Sequence, residues 1–286
     1  KNLLQIYFKI IISIISMGSK YISIFKSKFR VASKLFGSQY ALMLEYRAEI
    51  AMWALSGVLP LIMLGLWIGS NSFQSYLFTK NEIIKYFISV FIVRQFTAVW
   101  VMISFEEDLV EGKLSPFLLQ PIHPFWRYLF SHIAEQFSRL PIVIMILIPL
   151  FLVFNNSFPI PSFQRVVLSF GTIFLAFLLR FLLHWNFSIL CFWNEKASSL
   201  ERLLLIPYIF LSGLVAPIES FPLIIQKLAL ITPFPYFIAY PAKIISGQSL
   251  DLNIYFASML TWFVCLVLTS KLLWTNGVKK YSGMGS

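Results

Sequence analysis

Three basic side chains stand where water is scarce. Arg94 falls in the apolar run Ile83–Phe105, and Arg180 and His184 fall in the run Val166–Phe192. A spacing of four places Arg180 and His184 on one helical face. An arginine at the bilayer centre costs about 2.5–3.5 kcal/mol on insertion scales, so such residues face a bundle interior or water. All 12 acids lie in loops or near the ends of apolar runs, which leaves neither arginine an obvious carboxylate at that depth. Three roles are open to them. They bond backbone carbonyls at broken helix ends, reach for headgroups, or meet the anionic group of a lipid-linked substrate, since guanidinium binds phosphate in bidentate fashion. His184 reads first as a hydrogen-bonding residue and second as a proton relay.

A different chemistry gathers between the second and third apolar runs. Glu106, Glu107, Asp108 and Glu111 lead into Lys113 and then Leu114-Ser115-Pro116-Phe117-Leu118-Leu119-Gln120-Pro121. An apolar, proline-bounded turn flanked by charge suits docking to a soluble partner. The alternative is a solvated turn followed by an interfacial helix anchored by Trp126 and Tyr128. Other chemistries are missing. No G-x-x-x-x-G-K-[ST] occurs, so this chain has no phosphate-cradling loop, and Leu211-Ser212-Gly213 lies in an apolar stretch that nucleotide cannot reach. His132 and Glu135, three apart, are two ligands and not a metal site. No cofactor or metal is assigned to the chain.

The elements that must position these groups are membrane spans. Of 286 residues, 58% are apolar and 12% charged, where a soluble domain has about a quarter charged. That excludes a water-soluble enzyme. The net charge of +11 would otherwise suggest nucleic acid; here it fits the Lys and Arg excess of cytoplasmic loops. Cys191 and Cys265 sit in apolar runs as small hydrophobes. A crossing needs about 20 apolar residues, and six runs qualify: Ile50–Ile68, Ile83–Phe105, Leu140–Phe154, Val166–Phe192, Leu203–Val215 and Ile254–Trp274. The third and fifth are short and flanked by proline. With the N-terminus inside, sixteen Lys and Arg fall on the cytoplasmic side, Arg139 among them, and five outside. Both termini are therefore expected in the cytoplasm.

The expected organisation is all-α and polytopic. Residues 1–48 form a cytoplasmic, interfacial amphipathic segment, 49–275 a six-helix membrane domain, and 276–286 a tail. Phe29, Phe36, Tyr40, Met43 and Leu44 recur at helical spacing among Lys26, Lys28, Arg30 and Lys34, an apolar face opposite a basic one. Leu3–Met17 belongs to the same interfacial segment, with a seventh crossing as its alternative. In the 216–252 connection, prolines isolate Leu223–Ile231, about 14 Å of helix and too short to cross. It either re-enters the bilayer or lies on its outer face.

Glu111–Pro124 and Leu211–Pro222, in that order along the chain, resemble the permease subunits of type-2 ATP-binding-cassette exporters, most nearly an uncharacterised bacterial permease branch. Glu45-Tyr46-Arg47-Ala48-Glu49 and Thr232-Pro233-Phe234-Pro235-Tyr236 are similar to that branch too. The resemblance runs from about Phe25 to Trp274. It implies an elbow helix before the first span, a coupling helix in the 106–139 connection seated on a cytosolic ATPase, and re-entrant helices at 216–252. By similarity Leu114, Pro116, Phe117, Leu118 and Pro121 form the coupling segment, with Glu106, Glu107, Asp108 and Glu111 near the ATPase surface. ATP and magnesium would sit on that partner. The resemblance further implies a bacterial inner-membrane protein, contacting lipid and pairing with a second copy or, more in keeping with the branch, a related permease. Cargoes that fit are a lipid, glycolipid, polysaccharide or hydrophobic small molecule.

Two other classes compete. An intramembrane lipid- or glycan-processing enzyme would draw on His123, His132, Glu106 and Glu107. A stand-alone secondary transporter would show inverted repeats and carboxylates within spans, and neither is evident.

Overall fold

The computed structural model describes residues 30–69, 78–154, 157, 162–194 and 198–281. Leu3–Met17, Phe29 with the basic residues Lys26 and Lys28, and the end of the tail lie outside them. The described residues are helical, without strand: α1 (residues 30–45), α2 (Arg47–Ser56), α3 (Leu59–Gly69), α4 (Lys80–Thr97), α5 (Val101–Val110), α6 (Leu114–Leu118), α7 (Pro124–Val153), α8 (Phe163–Ile189), α9 (Cys191–Asn194), α10 (Ser198–Leu211), α11 (Leu223–Ile231), α12 (Phe234–Phe237), α13 (Ala239–Ser246) and α14 (Leu252–Gly277). Five stretches among them are long and apolar enough to cross a membrane: Ala48–Gly69, Lys80–Val110, Pro124–Val153, Phe163–Asn194 and Leu252–Lys280.

Local chemistry sets where the long helices begin. Thr79 and Glu82 form a reciprocal capping box at α4: the Glu82 amide donates to Thr79 Oγ1 (3.3 Å) and the Thr79 amide to Glu82 Oε2 (2.7 Å). Ser162 caps α8, and Asp251 caps α14 by accepting from two amides. At α7, His123 Nδ1 accepts from the Phe125 amide and Pro124 occupies the first turn, where its missing N–H costs nothing.

That cap corrects the third span. The sequence reading starts it at Leu140, but the helix begins at Pro124. Residues 124–139 carry charges that lower local hydropathy, yet Tyr128, Leu129, His132, Ala134 and Arg139 are buried against other helices. The connection after α5 therefore shrinks from 106–139 to 111–123. The expected fifth span is also altered: α10 has 14 residues with Pro207 inside, about 21 Å long and short of about 30 Å of hydrocarbon. It ends in a turn at Gly213, whose φ of 82° favours glycine. A Cβ there would stand 2.5 Å from Tyr86 Oη, the hydroxyl that donates to the Gly213 carbonyl at 2.7 Å.

Two cores hold the bundle. Around α4, Ile83, Phe87, Val90 and Val93 pack with residues of α3, α8, α12 and α13. Nearer α6, Phe105, Tyr128, Trp185 and Phe192 form an aromatic cluster with Trp274 of α14. Trp185 and Trp274 stack at 5.4 Å, and Phe105 meets Trp185 edge-on at 5.5 Å. The Leu223–Ile231 helix has the expected bounds. The segments after it, α12 and α13, are largely buried beside α4 and α8.

Candidate functional site

Two neighbouring helix breaks create the site. The first run is interrupted between α2 and α3 at Gly57, and the second between α4 and α5 at residues 98–100. A break strands carbonyls and amides that hydrocarbon cannot satisfy. Here the breaks and their neighbours satisfy one another. Gln95 Nε2 donates to the Ala54 carbonyl (2.9 Å) and Arg94 Nη2 to the Ser56 carbonyl (3.4 Å). This close approach needs Gly57, since a Cβ there would lie 2.5 Å from Gln95 Nε2. Arg139, 2% exposed and ion-paired with Glu135, sends Nη1 to the Gln95 carbonyl (3.4 Å). The Trp100 amide donates to His132 Nε2 (2.9 Å), while His132 Nδ1 lies 2.7 Å from the Tyr128 carbonyl. That pairing places the His132 proton on Nδ1.

Arg94, Arg180 and His184, from α4 and α8, meet at one cavity of about 110 Å³, together with Arg139, Glu201 and Tyr208. Arg180 Nη1 donates to Tyr208 Oη (2.8 Å), and its guanidinium lies over the Tyr208 ring at 4.2 Å. With Glu135 engaged by Arg139, Glu201 faces two arginines, so the wall keeps a surplus of positive charge. Arg180 Nε, His184 Nδ1 and Trp100 Nε1 are buried without a hydrogen-bond partner among the described residues, and all three residues line the cavity. Arg94 takes the role of capping a broken helix end. Arg180 keeps one buried donor, Nε, without a partner among the described residues. Counted along α4 and α7 from Lys80 and Val153, the cluster lies about 21 Å from the end opposite α6.

At the α6 end, Leu114 is wholly buried in the aromatic core and Leu119 is 88% exposed. Phe117 is half-buried beneath Arg127, 3.6 Å from guanidinium to ring centre. Leu118 and Phe125 are half-buried as well, whereas Leu119 and, less fully, Trp126 are exposed. Pro116 and Pro121 are exposed. The acids divide. Glu107 and Glu111 are exposed, Glu111 pairing with Lys113, whereas Asp108 accepts from Tyr128 Oη at 2.7 Å. Ser115 Oγ and Tyr281 Oη lie 2.8 Å apart, tying α6 to the end of the α14 strand of chain. The Glu111 carboxylate raises the Lys113 pKa, and loss of water on the side covered by Trp274 lowers that of His123.

Sequence reasoning assigned Arg139 to a cytoplasmic loop and overlooked Glu201 and Tyr208. A periodicity test on 124–139 would have found Tyr128, His132, Glu135 and Arg139 on one face; Tyr208 carries no comparable signal. His123 caps α7 and His132 uses both ring nitrogens on backbone groups, so neither stands ready as the acid–base group that an intramembrane enzyme needs.

A family model described as ABC-2 family transporter protein matches residues 48–285. The chain belongs to that family and is a multi-pass membrane permease component of an ABC transporter, a transport part and not itself the catalytic one. No curated protein matches it.

Proposed function

We propose that this subunit exports an amphiphile bearing an anionic group, within the wider set of lipids, glycolipids, polysaccharides and hydrophobic small molecules, and that separate cytosolic ATPase subunits drive it through α6. The observation that carries this reading is α5. Its first residue follows the break beside the charged cavity, and its last leads through Gly112 into α6. Ten residues make a rod of about 15 Å. A push on the exposed face of α6 is transmitted by buried Leu114 and Phe105 to α5, and hence to a break held by single hydrogen bonds. Packed cores answer such a push by switching arrangement instead of deforming smoothly. ATP and magnesium belong to the partner.

In this reading α10 and the turn that continues it to Val215 together supply the fifth of six crossings, α1 is the elbow on the inner surface, and α11–α13 are the re-entrant segment on the outer face. Residues 1–48, 49–275 and 276–286 keep the roles expected from sequence. Both termini are cytoplasmic, in a bacterial inner membrane, and a second permease, identical or related, completes the path. The burial pattern supports Leu119 as the residue with which to test the ATPase contact. Leu119→Asp should abolish co-purification of vanadate-sensitive ATPase activity from native membranes, with the melting temperature of the permease unchanged. Retained ATPase activity would remove α6 as the coupling element. Phe117→Asp and Leu118→Asp are poorer tests, because both side chains also pack inside the chain.

A further inference from the structure

A second cavity, lined by different residues from the arginine cluster, opens between α4, α7, α8 and the end of α13. It is a groove of about 790 Å³ with walls such as Ile92, Leu147, Ile173 and Phe174, a size within the roughly 300–1,000 Å³ of small-molecule sites. Its two charged side chains are both cations at one end, Lys85 near the start of α4 and Arg165 near the start of α8. Neither forms an ion pair among the described residues. The exposed Arg165 packs against Gly247, where a side chain would begin 3.0 Å from its Nη1. From Lys85 to Phe96 the groove runs about 16 Å along α4, and from Phe151 to Gln136 about 22 Å along α7. One leaflet holds about 15 Å of hydrocarbon. Phe137, at the deep end, is covered by Phe36 of α1 at 5.6 Å.

We infer that this groove is a binding site for a phospholipid with an anionic headgroup, drawn from the leaflet at the Lys80 end of α4. The phosphate meets Lys85 and Arg165, and one acyl chain lies along α4 and α8. The fit is one of charge and length together. Two cations sit at the Lys80 end, no carboxylate lines the groove, and along α4 the apolar slot is as long as a leaflet is deep. An apolar protein partner or a second copy would bury both cations without an anion, at a cost that a phosphate removes. The site is separate from the charged cavity, so it holds a resident lipid and not the cargo.

The full chain, purified in detergent and stripped of lipid, is titrated with dioleoyl phosphatidylglycerol or dioleoyl phosphatidylcholine. Bound lipid is counted by native mass spectrometry. Wild type should prefer phosphatidylglycerol. Lys85→Gln/Arg165→Gln should weaken that lipid about thirtyfold, the two residues counting for roughly 1 kcal/mol each at an anionic surface, and should weaken phosphatidylcholine, whose phosphate is offset by its choline, much less. Ile173→Trp, which fills the slot, should weaken both lipids, and Lys279→Gln/Lys280→Gln, at the α6 end of the bundle, should change neither. An unaltered preference in the Lys85/Arg165 variant overturns the proposal. So does its loss in the Lys279/Lys280 variant, which would make the preference one of overall surface charge.

Discussion

At the scale of single residues, the membrane interior makes hydrogen bonds selective. Gln95 is buried, and its amide caps the carbonyl that the first helix leaves open at Ala54. Gln95→Leu should lower stability by about 0.6–2 kcal/mol, the range of interhelical bonds in bilayers, read as a lower melting temperature in detergent. Gly57→Ala should do at least as much, because its methyl group displaces the same amide. His123 adds a pH dependence. Its pKa is lower folded than unfolded, so the unfolded chain binds the extra proton in the interval between the two values. The His123 contribution is complete above the unfolded value and fades as pH falls through the folded one. Protonated Nδ1 also stops accepting from the Phe125 amide. Melting curves between about pH 8 and pH 5 should fall less steeply for His123→Asn, which keeps a capping oxygen, than for wild type. Equal slopes would show that His123 does not titrate with folding.

At the scale of elements, broken helices mark where the chain does something other than span. The α4–α5 break is secured by His132 of α7, whose ring links the Trp100 amide in the break to the Tyr128 carbonyl of α7. His132→Ala should loosen α5 by leaving the Trp100 amide unpaired, at about 1–3 kcal/mol. Faster amide exchange confined to residues 98–104 is the expected signature, and uniform exchange across the bundle would contradict it. The boundaries of α4, α8, α11 and α14 are largely legible in sequence, because Thr79, Ser162, Pro222 and Asp251 are local signals. The start of α7 is not. His123 is an uncommon cap, and the charged residues that follow it are matched only by partners on other helices.

At the scale of the whole molecule, a positive cavity and the exposed Leu119 beyond α6 stand at opposite ends of α5. If the cavity receives an anionic group, Arg180→Gln should reduce transport of an anionic fluorescent phospholipid in proteoliposomes of the assembled transporter about tenfold more than transport of its zwitterionic analogue, since a charged hydrogen bond is worth about 1.5–3 kcal/mol. Equal losses for both would make Arg180 a structural residue. Orientation has its own test. In intact cells an impermeant maleimide should label Ser249→Cys and spare Leu119→Cys; the opposite pattern would invert the topology.

Sequence by itself determined that the chain is a helical membrane protein, where most of its spans lie, and that Arg94, Arg180 and His184 need an explanation, because hydropathy and charge are additive along the chain and need no knowledge of neighbours. Only the tertiary structure decided that these residues share a cavity with Tyr208 and Glu201, that Arg139 is buried, and that Leu114 points inward while Leu119 points out. Those outcomes depend on which helix faces meet: periodicity can show that a segment such as 124–139 has one distinct face, but not which segment dozens of residues away covers it.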